Sequence, residues 1–178
     1  MKEHSKFFLN SLADTEKLAK KISKIIKNGV CLCLNGKLGI GKTTLVKFIL
    51  EHHMGKKINV NSPTFSLVNV YETNNLRVWH YDLYRLNHKS EIYNLDIELA
   101  LRDCTIIEWP EIIEDILPND RINIYFDEIN STSIEISILS NKKVILCERG
   151  VSVPHTHRST SRFLLDLQVI PAAQEITH

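Results

Sequence analysis

Gly36-Lys37-Leu38-Gly39-Ile40-Gly41-Lys42-Thr43, followed by Thr44, fills every fixed position of the phosphate-binding loop pattern G-x-x-x-x-G-K-[ST]. Its flanks agree with it. Upstream, Val30-Cys31-Leu32-Cys33-Leu34 is a short apolar run of the kind that makes a buried parallel strand. Downstream, Thr44 to Glu51 reads as a helix with Leu45, Phe48 and Ile49 on one face. Gly36, Gly39 and Gly41 allow the backbone to curl, so that several N–H groups converge on one anion. The following helix adds the partial positive charge of its N-terminus. In such a loop Lys42 reaches the β- and γ-phosphates as a point charge, and the Thr43 hydroxyl is offered to Mg²⁺. The expected ligand is a nucleoside triphosphate.

Working outward, 178 residues suit one domain with a core of its own. Apolar residues at 43% and charged residues at 24% are ordinary globular values. Twenty-two Lys and Arg against 21 Asp and Glu leave +1, so no overall field advertises nucleic acid or a membrane surface. No apolar run of about 18 residues and no signal-like apolar segment is present, which makes a cytoplasmic location the expectation. Cys31, Cys33, Cys104 and Cys147 include no C-x-x-C pair and are expected as reduced, structural thiols. Cys31 and Cys33 are two apart on a strand and so face the same way.

Along the chain, Phe7-Phe8-Leu9 is a candidate first strand. Asp14 is the expected cap of a helix over 15–27, whose Lys17, Lys20, Lys21, Lys24 and Lys27 make a solvated face rather than a docking site. Residues 58–71 read as extended chain with one rigid break at Ser62-Pro63. A turn at Asn74-Asn75 returns the chain through 76–84, making a hairpin. Residues 89–101 are helical but broken, with Ser90 as candidate cap, and Cys104 to Glu108 is a further buried strand. Trp109-Pro110 stops it and opens a short helix. Residues 122–126 and 133–138 alternate as strands with one wet face, and 141–143 turns into 144–147. The domain is taken as 1–149, with 150–178 as a tail broken by Pro154 and Pro171.

A triphosphatase also needs a carboxylate at the end of a neighbouring strand to hold Mg²⁺, and Glu108 stands where that group belongs. His80 and Asp82 share one strand face. Two roles fit them: placing or polarising a water or sensing the γ-phosphate, or forming a structural hydrogen-bonded pair. Ser62 and Thr64, around Pro63, belong to a loop able to close on the γ-phosphate.

Four blocks in this order resemble the TsaE family: Leu34 to Thr44, Asn61 to Val68, His80-Tyr81-Asp82-Leu83-Tyr84-Arg85-Leu86, and Ile107-Glu108-Trp109-Pro110-Glu111. The resemblance runs from about Phe7 to Cys147. It implies an ATPase that joins a TsaB–TsaD pair and supports threonylcarbamoyladenosine modification of tRNA beside the anticodon, resetting the complex rather than activating the transferred group. It carries Lys42 and Thr43 to phosphate and Mg²⁺, with Gly36, Leu38, Gly39, Ile40, Gly41 and Thr44 completing the ATP-binding loop. It makes Glu108 the second metal ligand, Ser62 and Thr64 switch-like, Asp82 catalytic with Lys42 and Glu108, and Trp109 a neighbour of the nucleotide. Asn35-Gly36-Lys37 and Phe65-Ser66 depart from the family's more usual Gly-Asp and Tyr-Thr, and neither change removes a phosphate or metal ligand.

Other classes sharing the loop are less well served. A small-molecule kinase usually carries an Arg-bearing lid; Arg85 and Arg121 are available, but no Arg-rich lid stands out. A GTPase normally shows N-K-x-D, and Asn141-Lys142-Lys143-Val144 lacks the aspartate. A binding module that uses ATP only as a conformational ligand stays open. The expected fold is a three-layer α/β P-loop domain with a mixed, mainly parallel sheet and an antiparallel portion from Ile122 onward.

Overall fold

Alternation along the central strands dictates the layering. In a computed structural model, which describes residues 3–73 and 75–141, β2 (Cys31–Asn35) turns Leu32 and Leu34 into one apolar cluster and Cys31 and Cys33 into another. The strand is thus buried on both faces, as its unbroken apolar run requires. The first cluster lies under α1 (Leu12–Ile22) and α2 (Lys42–Met54). The second lies under the 3₁₀ helix Lys89–Leu95, the short α3 (Ile97–Ala100) and the 3₁₀ helix Pro110–Ile116. Helices, sheet, helices: the three-layer arrangement holds.

The sheet also contains β1 (Glu3–Leu9), β3 (Val68–Glu72), β4 (Arg77–Asp82), β5 (Cys104–Glu108), β6 (Ile122–Asn130) and β7 (Ser133–Ser140). Their order is β1-β7-β6-β2-β5-β4-β3. β2 is parallel to both β5 and β6, and β5 is parallel to β4. As expected, the chain from Ile122 onward supplies an antiparallel portion, β6 with β7 and β7 with β1; β6 also joins the parallel set through β2, and β3–β4 is a further antiparallel pair. Alternation reveals that a strand has one wet face, but not which way its neighbour runs.

Local chemistry moves one helix start and one cap. α1 begins at Leu12 rather than at 15, because the Ser11 hydroxyl accepts from Asp14 N at 3.2 Å while Asp14 accepts from Ser11 Oγ at 2.8 Å. The helix stops at Ile22, yet Ile25 and Ile26 stay buried, which carries the apolar pattern past the helix end. Lys17, Lys20, Lys24 and Lys27 are exposed as expected, and Lys21 lies over the Phe7 ring at 5.3 Å. The 89–95 segment is capped by His88, not Ser90, through a reciprocal pair with Glu91.

The 58–71 stretch is broken twice rather than once. After Pro63 the chain makes a tight turn in which Leu67 N donates to Pro63 O at 2.6 Å, with Leu67 at φ 63°. Phe65, expected in a strand, stands 86% exposed on that turn. The 76–84 return strand is shorter, Arg77–Asp82, but pairs with β3 as a hairpin. The expected strand over 144–147 and the tail from 150 lie outside the described residues.

Candidate functional site

The site forms where parallel strands end together. Asp82 and Glu108 are register partners at the C-terminal ends of β4 and β5, and Leu34 pairs with Glu108 just before the glycine loop. Val78, His80 and Asp82 share one parity along β4, and Cys104, Ile106 and Glu108 share one along β5. Val78, Cys104 and Ile106 belong to the cluster under α2, so His80, Asp82 and Glu108 lie on the α2 side.

The loop has the backbone its glycines permit. Gly39 and Gly41 are at φ 76° and 104°, and Gly41 precedes α2 without any side-chain cap. The first N–H groups of α2 therefore remain available to an anion. Gly36 answers a different need: a Cβ there would lie 2.8 Å from Phe126 Cβ and 2.9 Å from Phe126 O. Leu38 is exposed, Ile40 packs against the apolar cluster, and Thr44 is half-buried on the first turn.

Lys42 is only 4% exposed, so its ammonium must find partners inside the protein. It donates to Gly36 O at 2.7 Å and Lys37 O at 2.8 Å, and lies 4.0 Å from the Trp109 ring centroid. Burial pulls its pKa below the ordinary lysine value, while Glu108, Asp82 and Glu111 oppose that pull. Trp109 itself holds a left-handed backbone, φ 59°, at the strand's end, and tilts against Tyr84 at 5.0 Å.

Two hydrogen-bonded groups converge here. Thr43 Oγ1 donates to Glu108 Oε1 at 2.8 Å, and His80 Nε2 meets the same oxygen at 2.9 Å. Separately, Asp82 Oδ2 accepts from Ser62 Oγ in a short bond and from Thr64 Oγ1 at 2.8 Å, while Oδ1 accepts from Tyr84 N at 3.1 Å. His80 and Asp82 are thus not a hydrogen-bonded pair with each other: one serves Glu108, the other holds the Ser62–Thr64 turn. Both are buried, as is Glu108 at 3% exposure. The donor set at Thr43 and Glu108 is two hard oxygens in contact, which suits Mg²⁺ rather than a softer ion.

Two grooves border this region. The larger, about 340 Å³, is lined by Asn35, Arg121, Asn123 and Tyr125 but also by Glu111 and Glu114, whose carboxylates disfavour a polyanion. The smaller, about 180 Å³, opens beside Gly41 and Thr44 between Asn10–Leu12, Phe126 and Thr132. No motif pointed to that second groove. Its residues come from β1, α1, β6 and β7, and only the sheet order brings them together.

This geometry has a family. A model of the family described as "Threonylcarbamoyl adenosine biosynthesis protein TsaE" matches residues 9–136. The chain belongs to the TsaE family. It is 40% identical over 134 residues to the TsaE protein of Rickettsia felis, covering 75% of this chain and 78% of that one. It is 34% identical over 137 residues to that of Bacillus subtilis, covering 76% and 86%. The crystal structure of Bacillus subtilis YdiB superposes with a TM-score of 0.65 at 27% identity, covering 79% of this chain and 87% of that one. TsaE proteins serve tRNA threonylcarbamoyladenosine biosynthesis, and the mixed, seven-stranded α/β chain shares its fold with YdiB. Among the described residues no helix is long and apolar enough to cross a membrane.

Proposed function

We propose that this TsaE-family chain is an ATPase that hydrolyses ATP to ADP and phosphate with Mg²⁺, in company with TsaD and TsaB homologues, during threonylcarbamoyladenosine modification of tRNA. The observation that carries the reading is the 2.8 Å bond from Thr43 Oγ1 to Glu108 Oε1. A hydroxyl that gives a lone pair to a metal still carries its proton, and Glu108 accepts the hydrogen bond from that O–H, which leaves the Thr43 lone pairs for the ion. Mg²⁺, when bound, would neutralise charge on the phosphate oxygens.

The chain's own residues supply the rest. Lys42 exchanges its two carbonyl partners for phosphate oxygens, assisted by the backbone N–H groups from Leu38 to Thr44. Asp82 holds Ser62 and Thr64 against the site, which makes it a positioning group for the segment facing the γ-phosphate. The nucleoside lies in the groove beside Thr44, which is free of carboxylates. The partner requirement, the cytoplasmic location and the division into a 1–149 domain with a tail rest on the family resemblance and the sequence alone.

The test is phosphate release from ATP with Mg²⁺, for the chain alone and with a TsaB–TsaD pair. Release that rises with partners and is absent in Lys42→Ala is expected. Tight ATP binding without release in either condition would instead make the chain a nucleotide-dependent binding module. Release that requires an added small-molecule acceptor would make it a kinase.

A further inference from the structure

Glu108 Oε1 accepts from Thr43, and a carboxylate oxygen can only accept from His80 as well, so the His80 proton sits on Nε2. The other ring nitrogen, Nδ1, is buried and has no hydrogen-bond partner among the described residues. A fully buried histidine with one nitrogen left unpaired is costly, and such a group calls for a physical reason. Apolar packing does not supply one, since a Leu of similar size would fill the space without leaving an orphan.

We propose that His80 is a positioning residue for the metal site: its Nε2–H fixes the Glu108 carboxylate so that Oε1 accepts the Thr43 hydrogen bond and Oε2 is left for the ion. Oε1 receives both donors, and Oε2 accepts no hydrogen bond among the described residues. The register makes this possible. His80 pairs with Ile106 on the neighbouring strand, two residues before Glu108 and on the same face, so its ring lies under the carboxylate rather than beside it. Thr43 comes from a different element, the first turn of α2. With two donors on one oxygen, turning the carboxylate would break both bonds. The inference rests on the proposed Mg²⁺ site.

The experiment measures Mn²⁺ binding to the full chain in complex with ADP, which is not turned over, by the paramagnetic resonance of the free ion. ADP binding in excess chelator is measured in parallel. Variants are His80→Leu, His80→Gln, His80→Asn and Glu108→Gln. His80→Leu should weaken Mn²⁺ binding about 10- to 100-fold, as loss of a group that orients a metal ligand commonly does. Metal-free ADP binding should be unchanged. His80→Gln carries an N–H near the Nε2 position and should recover most of the loss, whereas His80→Asn, which reaches only as far as Nδ1, should not. If Leu at this buried position unfolds the chain, Gln against Asn carries the comparison. Wild-type Mn²⁺ affinity in His80→Leu or His80→Asn, or equal loss in Gln and Asn, would overturn the role of His80 while leaving the metal site standing. Equal Mn²⁺ binding by wild type and Glu108→Gln would remove the metal site itself, and His80's role with it.

Discussion

The Lys42 ammonium sits against the face of Trp109, 4.0 Å from the ring centroid, while two of its three N–H groups donate to the carbonyls of Gly36 and Lys37. A phosphate in the loop competes for the same ammonium, and a buried cation–π contact is worth about 0.5–2 kcal/mol. Nucleotide binding should therefore disturb Trp109. The other tryptophan, Trp79, is distant in role: its Nε1 donates to Asp103 and its ring stacks on Tyr81 in the second apolar cluster. Adding ADP should change the tryptophan emission of the wild type and of Trp79→Phe, and leave Trp109→Phe silent. A response that survives in Trp109→Phe would place the nucleotide away from this ring.

The two buried carboxylates should separate binding from turnover. Lys42→Ala removes the phosphate's main cationic partner and should abolish nucleotide binding. Glu108→Ala and Asp82→Ala leave the loop intact and should chiefly slow hydrolysis. Removing one charge-assisted contact in a desolvated site costs about 2–4 kcal/mol, or roughly 30- to 1,000-fold in rate. Phosphate release at the wild-type rate from either variant, with TsaB and TsaD present, would remove that residue from the mechanism.

Much of this site was legible because it is built from contiguous signals. The glycine loop, the apolar strand before it and Glu108 at the end of another apolar run each carry their own pattern. What could not be read was pairing. His80 and Asp82 stand two apart on one strand, but their partners come from β5 and from the turn after Ser62, and register decides which carboxylate meets which hydroxyl. The pairing of β6 with β2 and the groove beside Thr44 were hidden for the same reason. Ser11 was a different case: Ser11-Leu12-Ala13-Asp14 carries a reciprocal capping pattern, and the expected start at 15 passed over it.

Gly36 and Gly39 should respond differently to alanine. At Gly36 a Cβ meets Phe126 backbone oxygen at 2.9 Å, so β6 or the loop must shift. Overpacking of that kind costs about 1–3 kcal/mol. At Gly39 a Cβ meets nothing within 4 Å, and the cost is confined to φ 76°, about 1–2 kcal/mol. Thermal melts should show Gly36→Ala as the less stable of the two. Equal melting temperatures would mean that the approach of β6 to the loop is not rigid.

The start of α1 offers a pH test. The hydrogen bond from Ser11, then that from Asn10 N, holds the Asp14 carboxyl below its ordinary pKa, and Lys17 adds to this from 3.4 Å. A carboxylate with a depressed folded pKa contributes stability that is fully present above its unfolded pKa, near 3.8, and is lost as the pH falls through the lower folded value. Ser11→Ala removes the helix cap and the largest cause of that depression, and should cost about 1 kcal/mol at neutral pH. Denaturant titrations of wild type and Ser11→Ala at pH 7 and at successively lower pH should show the gap between them narrowing once the carboxyl protonates. A gap that stays constant down to that range would leave the Ser11 hydroxyl as a cap for the Asp14 N–H alone, with no share in holding the carboxylate.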